Sequence, residues 1–123
     1  MTLNRVAVNP ASYVVVTGEN VEVSASVTDD THAKFNVENM AIGNEVTFTY
    51  YIANLSNDLG AKITPTVTSD NEVNFEVTVN PDSEFNLDEN EVQEVVVTVK
   101  CIAQNKLDAS GSFEVSFETE ATE

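Results

Sequence analysis

The sequence predicts an all-β domain, an Ig-like or jelly-roll β-sandwich of about seven to nine strands with negligible helix. Three observations carry that expectation. Apolar and polar residues alternate with a period of two along most of the chain. No segment shows the apolar spacing of an amphipathic helix. Clusters of Gly, Pro, Asn and Asp interrupt the alternation at short intervals, as turns between short strands require.

The elements follow in order. Leu3 to Val8 is a short β-prone segment, cut off from Tyr13 to Thr17 by Asn9-Pro10-Ala11-Ser12. It reads either as an ordinary first strand that crosses between sheets at the proline, or as a detachable arm. Residues 1–12 are accordingly set apart as an N-terminal arm from a sandwich over 13–120 and an acidic tail over 121–123. Val21, Val23, Ala25 and Val27 alternate with Glu22, Ser24, Ser26 and Thr28, and Asp29-Asp30 makes the turn. Phe35 and Val37 form a shorter piece. Gly43-Asn44 opens the clearest strand, with Val46, Phe48, Tyr50 and Ile52 on one face and Thr47, Thr49 and Tyr51 on the other. Asn54 to Gly60 reads as a polar loop.

Ala61 to Thr68 contains Pro65, which cannot donate to a ladder, so this strand belongs at an edge. Val73, Phe75, Val77 and Val79 alternate up to the turn Asn80-Pro81-Asp82-Ser83. Phe85 and Leu87 precede Asp88-Glu89-Asn90, and then comes Glu94 to Cys101. The triplet Val95-Val96-Val97 suggests a central strand covered on both faces. Asp108-Ala109-Ser110-Gly111 is the last turn, Phe113, Val115 and Phe117 the last strand, and Glu118 to Glu123 a frayed acidic end.

Composition narrows the function. At 123 residues the chain has the length of one domain and buries enough surface to hold a core without staples. Its 21 acidic and 5 basic residues give a net charge of −16. That balance excludes nucleic acid, whose phosphates need Lys and Arg, and disfavours anionic membranes. No apolar run is long enough for a membrane helix, so no membrane insertion is expected. No signal peptide is visible at Met1-Thr2-Leu3-Asn4. The chain is therefore either cytosolic or the mature form of an extracellular or cell-surface protein with a start Met added, and the second is favoured. Cys101 closes the run Val95, Val97, Val99 and reads as a small core residue.

Nothing in the sequence assembles a catalytic site, and no enzyme activity is expected. His32 is the one histidine and has no Cys or His partner at metal-ligand spacing. The four glycines, Gly18, Gly43, Gly60 and Gly111, read as turn residues rather than a phosphate loop. No cofactor is expected beyond Ca²⁺, for which Asp29, Asp30 and Asp88 are the candidates, although Asp-rich turns also arise from turn preference alone. Asn54-Leu55-Ser56 is a glycosylation sequon in a predicted loop. Tyr51 reads as a cross-strand pairing residue or an interface contact.

The stretch Asn39-Met40-Ala41-Ile42-Gly43-Asn44-Glu45-Val46-Thr47-Phe48-Thr49-Tyr50, followed by Ile52-Ala53-Asn54-Leu55-Ser56, resembles a conserved segment of the TasA/camelysin family of secreted biofilm-matrix and surface-fibre proteins. The turn Asn86-Leu87-Asp88-Glu89-Asn90-Glu91 leading into Val95 to Val99 fits the same layout. Ile42 stands where the family has proline, and the chain is shorter than typical members. The resemblance implies an extracellular structural subunit that polymerises with copies of itself into pilus-like surface or biofilm-matrix filaments. It further implies donation of an N-terminal strand, here Leu3, Asn4, Arg5, Val6, Ala7 and Val8, to a neighbouring subunit. The alternative is a monomeric Ig-like cell-surface module for binding or adhesion, with its ligand on loops such as residues 54–60.

Overall fold

A computed structural model describes residues 6–9, 12–70, 73–103 and 109–122. Those residues form ten strands and no helix: β1 (Val6–Val8), β2 (Ser12–Thr17), β3 (Glu22–Asp29), β4 (His32–Met40), β5 (Glu45–Asn54), β6 (Gly60–Ser69), β7 (Phe75–Asn80), β8 (Phe85–Leu87), β9 (Val92–Cys101) and β10 (Ala109–Thr122). They make two five-stranded antiparallel sheets in a sandwich-like arrangement, as the alternation predicts. Sheet A runs β1-β5-β9-β7, with β2 also pairing β5; sheet B runs β3-β4-β10-β6-β8.

The period-two pattern sets which side chains enter the core. On β5, Val46, Phe48, Tyr50 and Ile52 are buried, and their neighbours Val95, Val97 and Val99 on β9 are also buried. Sheet B answers with Ala33, Phe35 and Val37 on β4 and Phe113, Val115 and Phe117 on β10. Phe35 is the centre of this layer. Its ring stacks on Phe48 of the opposite sheet at a centroid distance of 3.9 Å and on Phe113 at 4.8 Å, while Phe75 meets Phe113 edge-on at 5.6 Å. Such pairs add to the burial of each ring because a negative π face meets a positive edge or an offset face. Cys101 is fully buried, in line with the core reading, and its Sγ lies 3.5 Å from the Met40 carbonyl.

Tyr50 is the exception in polarity. Its ring packs edge-on against Phe117, and its buried hydroxyl has no hydrogen-bond partner. Desolvation holds that phenol far above its ordinary titration range. A buried hydroxyl without a partner contributes nothing that a phenyl ring does not. Tyr50→Phe is therefore expected to keep or raise stability, by up to about 1 kcal/mol in equilibrium denaturation. A loss of more than about 1 kcal/mol would show that the hydroxyl is paired.

β6 is not the edge strand that its proline suggests, since β10 flanks it on one side and β8 on the other; only Pro65 itself sits where the ladder is one-sided. It faces Phe117 of β10, and the Phe117 N–H turns the other way to the Thr31 carbonyl. In an antiparallel pair both residues point their backbone groups the same way relative to the partner, so the missing Pro65 N–H faces the far flank. There β8 covers only Ala61, Lys62 and Ile63, which leaves Pro65 at an open edge.

Several boundaries differ from those expected. Val73 is not in a strand; it lies in the turn before Phe75 and is 84% exposed. Glu118 to Thr122 is not frayed. It extends β10 in register with Gly60 to Thr64, and Glu120 reaches Lys62 at 3.9 Å. Gly60 and Gly111 lie inside strands rather than in turns. Gly111 marks a shift in the β10–β4 register, and a Cβ there would fall 2.9 Å from the Phe75 ring. Gly43 does sit in its turn, with φ at +86° and the Asn44 N–H donating to the Ala41 carbonyl.

The N-terminal strand does not cross between sheets. Val6 to Val8 pairs with Asn54 to Ile52, and Ser12 to Thr17 pairs with Thr49 to Glu45 of the same β5. Both segments therefore lie along the same flank of β5, within one sheet. Leu3, Asn4 and Arg5 lie outside the described residues.

Candidate functional site

Of the residues that the sequence singles out for assembly, Val6, Ala7 and Val8 lie at the edge of sheet A. Val6 and Val8 are each 5% exposed and belong to the core. Ala7 faces Ala53 on the outer side. The Asn9 N–H donates to the Tyr51 carbonyl at 2.9 Å, and the Val8 N–H points the opposite way, to the Asp30 carbonyl at 2.9 Å. β1 thus lies between β5 of its own sheet and the β3–β4 turn of the other.

That turn is built by Asp29. Its Oδ1 accepts the Thr31 N–H at 2.9 Å and lies 2.8 Å from His32 Nδ1. An aspartate side chain accepting from the backbone two residues on is the Asx-turn geometry. The Thr31 N–H first, and His32 second, hold the Asp29 carboxyl below the usual carboxylate range. The turn then offers its carbonyls outward: Asp30 O to Val8 on β1 and Thr31 O to Phe117 on β10. His32 is accordingly the first residue of β4.

Asp29 and Asp30 share this hairpin, whereas Asp88 belongs to the β8–β9 turn. There the Asp88 N–H donates to Glu91 Oε1 and the Glu91 N–H to the Asp88 carbonyl. Among the described residues no group of three or more His, Cys, Asp or Glu side chains is placed to hold a metal ion.

The sequence reading missed Asn54. It ends β5 instead of opening a loop, and it is fully buried. Its Nδ2 donates to the Leu59 carbonyl at 2.8 Å and lies 3.3–3.4 Å from those of Asp88 and Leu87, while Oδ1 accepts the Ser56 N–H at 3.1 Å. Ser56, also buried, in turn accepts the Leu59 N–H and donates to Asp58. One side chain therefore clamps the 55–59 loop to the β8–β9 turn. The nitrogen a glycan would need is inside the fold, so the sequon is not a surface loop. The signal was available: Asn54 continues the inward series 46, 48, 50, 52.

No protein-family profile matches the chain, no curated protein matches it, and no solved structure matches it. The outer faces of the two sheets are the surfaces that can meet a partner.

Those surfaces differ in chemistry. The outer face of sheet B is polar and charged. Ser24, Asn36 and Ser112 form a hydrogen-bonded row across three strands, and Asp70 Oδ1 accepts the Ser112 N–H at 2.8 Å. Beside this row lies a shallow groove of about 440 Å³ lined by Lys34, Asn36, Thr68, Asp70, Ser112 and Glu114. The outer face of sheet A includes one row of Val14, Thr47, Thr98 and Thr78 and a second of Ser12, Thr49, Val96 and Asn80, bordered by the charged row Glu45, Lys100 and Glu76. The Val14 and Ser12 rows carry no charge. Tyr51 sits further along this face, its hydroxyl donating to Glu94 Oε2 at 3.2 Å across the strand pair.

Proposed function

We propose that this chain is an extracellular structural subunit that assembles with copies of itself by exchanging its N-terminal strand. The observation that carries the reading is the seat of β1. Val6 and Val8 fill core positions, yet β1 is only three residues long and, among the described strands, pairs with β5 alone. A Val-x-Val strand from a neighbouring copy would meet the same β5 edge, the same apolar pocket and the same Asp30 carbonyl. Main-chain pairing supplies the affinity in such strand addition, and the alternate buried side chains supply the register. The sequence resemblance to surface-fibre proteins points the same way.

Electron microscopy of the purified chain tests it. Filaments are expected, and deleting residues 1–12 should abolish them while leaving a folded or metastable monomer. Filaments formed by the truncated chain would sink the donor-strand reading.

The groove on sheet B favours a second reading, a monomeric cell-surface binding module. Its Lys34, Asn36, Asp70, Ser112 and Glu114 offer donors and acceptors to a hydroxyl-rich ligand. It predicts a monomer at high concentration and places the ligand on the sheet rather than on the 54–60 loop.

A further inference from the structure

We infer that β2 is a second self-association edge, at which two copies join antiparallel about a two-fold axis through Val14.

The argument begins with composition. β2 reads Ser12-Tyr13-Val14-Val15-Val16-Thr17, six residues without a charge in a chain of net charge −16. Tyr13, Val14 and Val16 are 47%, 64% and 54% exposed. β2 pairs with β5 on one flank, and among the described residues no strand pairs with the other. Folded proteins guard such edges with charges, prolines or very short strands. The other edges are guarded in that way. β3 carries Glu22 and Asp29 at its ends, β7 carries Glu76, and β8 is three residues long beside the Lys62–Glu84 ion pair. β2 has only the register shift between Val15 and Thr17.

The backbone directions fix which groups are free. The Asn9 N–H bonds to the Tyr51 carbonyl, and the Cys101 N–H bonds to the Asn44 carbonyl. On β5 the odd-numbered residues therefore turn their backbone groups toward β1 and β2, and the even-numbered ones toward β9. Ser12 and Val14, opposite Thr49 and Thr47, point inward to β5. Tyr13 and Val15 point their N–H and C=O groups to the open flank. In an antiparallel pair centred on Val14, Tyr13 of each copy meets Val15 of the other, and all of these groups are satisfied. Val14 then faces Val14 of the second copy in a non-hydrogen-bonded pair, where Cα atoms approach to about 4.5 Å. A two-fold interface must be self-complementary, and this register is.

Charge selects the occupant. Two copies of so acidic a chain repel over most of their surfaces, and they can approach only where carboxylates are absent. The β2 edge and the uncharged rows behind it, from Val14 to Thr78 and from Ser12 to Asn80, form such a strip.

Disulfide trapping tests the register directly. Val14→Cys places two thiols at a separation a disulfide spans, and the native Cys101 is buried and does not compete. Mild oxidation should give a covalent dimer of V14C in high yield, and little from Val92→Cys, which is exposed on the same sheet face but away from the edge. In sedimentation velocity the wild-type chain should self-associate more tightly as salt rises. Val14→Lys and Val14→Glu should each weaken that association at least tenfold, while Val92→Lys leaves it unchanged. No V14C dimer beyond the V92C background, or a wild-type monomer up to about 1 mM, would overturn the inference. Val14 substitutions leave Val6 and Val8 intact. Filaments without the Val14 cross-link therefore sink only this inference, and the cross-link without filaments sinks only the donor-strand reading.

Discussion

Replacing Phe35 with alanine is expected to cost about 3–5 kcal/mol of stability, read from the midpoint of urea denaturation. Phe35 is fully buried and holds the two sheets together, stacked between Phe48 of sheet A and Phe113 of sheet B. The close packing on both ring faces prevents neighbouring backbones from collapsing into the space, so the cavity penalty adds to the lost burial. A domain of this size has about 5–15 kcal/mol to lose. Phe35→Leu keeps most of the volume but loses both stacks, and should cost about 1–2 kcal/mol. A loss below about 1.5 kcal/mol for Phe35→Ala would mean that the sheets are not joined through this ring.

Asn54→Ala is expected to cost about 3 kcal/mol by the same measurement. The substitution strips the Leu59 carbonyl of its 2.8 Å donor and the Ser56 N–H of its acceptor, both in a buried setting. Each group left buried without a partner costs about 1–3 kcal/mol. Asn54→Asp is worse at neutral pH, because a carboxylate oxygen would then face the carbonyls of Leu59, Leu87 and Asp88. The effect should be local as well as global: amide exchange at residues 55–59 should accelerate more than in β5. If Asn54→Ala proves neutral, the clamp does not hold the loop.

These two residues show what was legible. Phe35 could be read because an isolated apolar pair, Phe35 and Val37, still obeys the period of two, and a buried strand face leaves that mark in any sequence. Its partner across the sandwich could not, since sheet-to-sheet contacts leave no periodic trace. Asn54 obeyed the same period but was read as a loop residue, because asparagine is common in turns and costly to bury unless every polar atom is met. Val73 erred in the other direction. It matches the alternation of β7 but precedes its first hydrogen bond, so propensity outran pairing. The acidic end looks frayed in the sequence because its charge is visible there and its register is not. Glu118 and Glu120 lie on the outer side of β10, and Lys62 stands beside Glu120. The edge of sheet A is only half visible in the sequence. The break at Asn9 to Ser12 sets off the segment before it, but which strand that segment lies against, and which flank of β2 is left open, depends on a pairing with β5 some forty residues away.

The order of sheet B bears on how the chain is made. Its central strand, β10, comes last in sequence, and β4 and β6 both wait for it. A chain emerging N-terminus first presents β3–β4 as a hairpin and β6 as a lone strand, with the slot between them vacant. Sheet A is complete by residue 101, but the aromatic layer it must pack against lacks Phe113 and Phe117 until the final segment is out. The sandwich closes only once Phe113 and Phe117 of β10 are in place, so the earlier strands do not complete the fold without it. Until β10 is in place, the net charge of −16 opposes contact between the incomplete sheets of different copies, which makes the acidity a safeguard for the unfinished domain as well as the finished one.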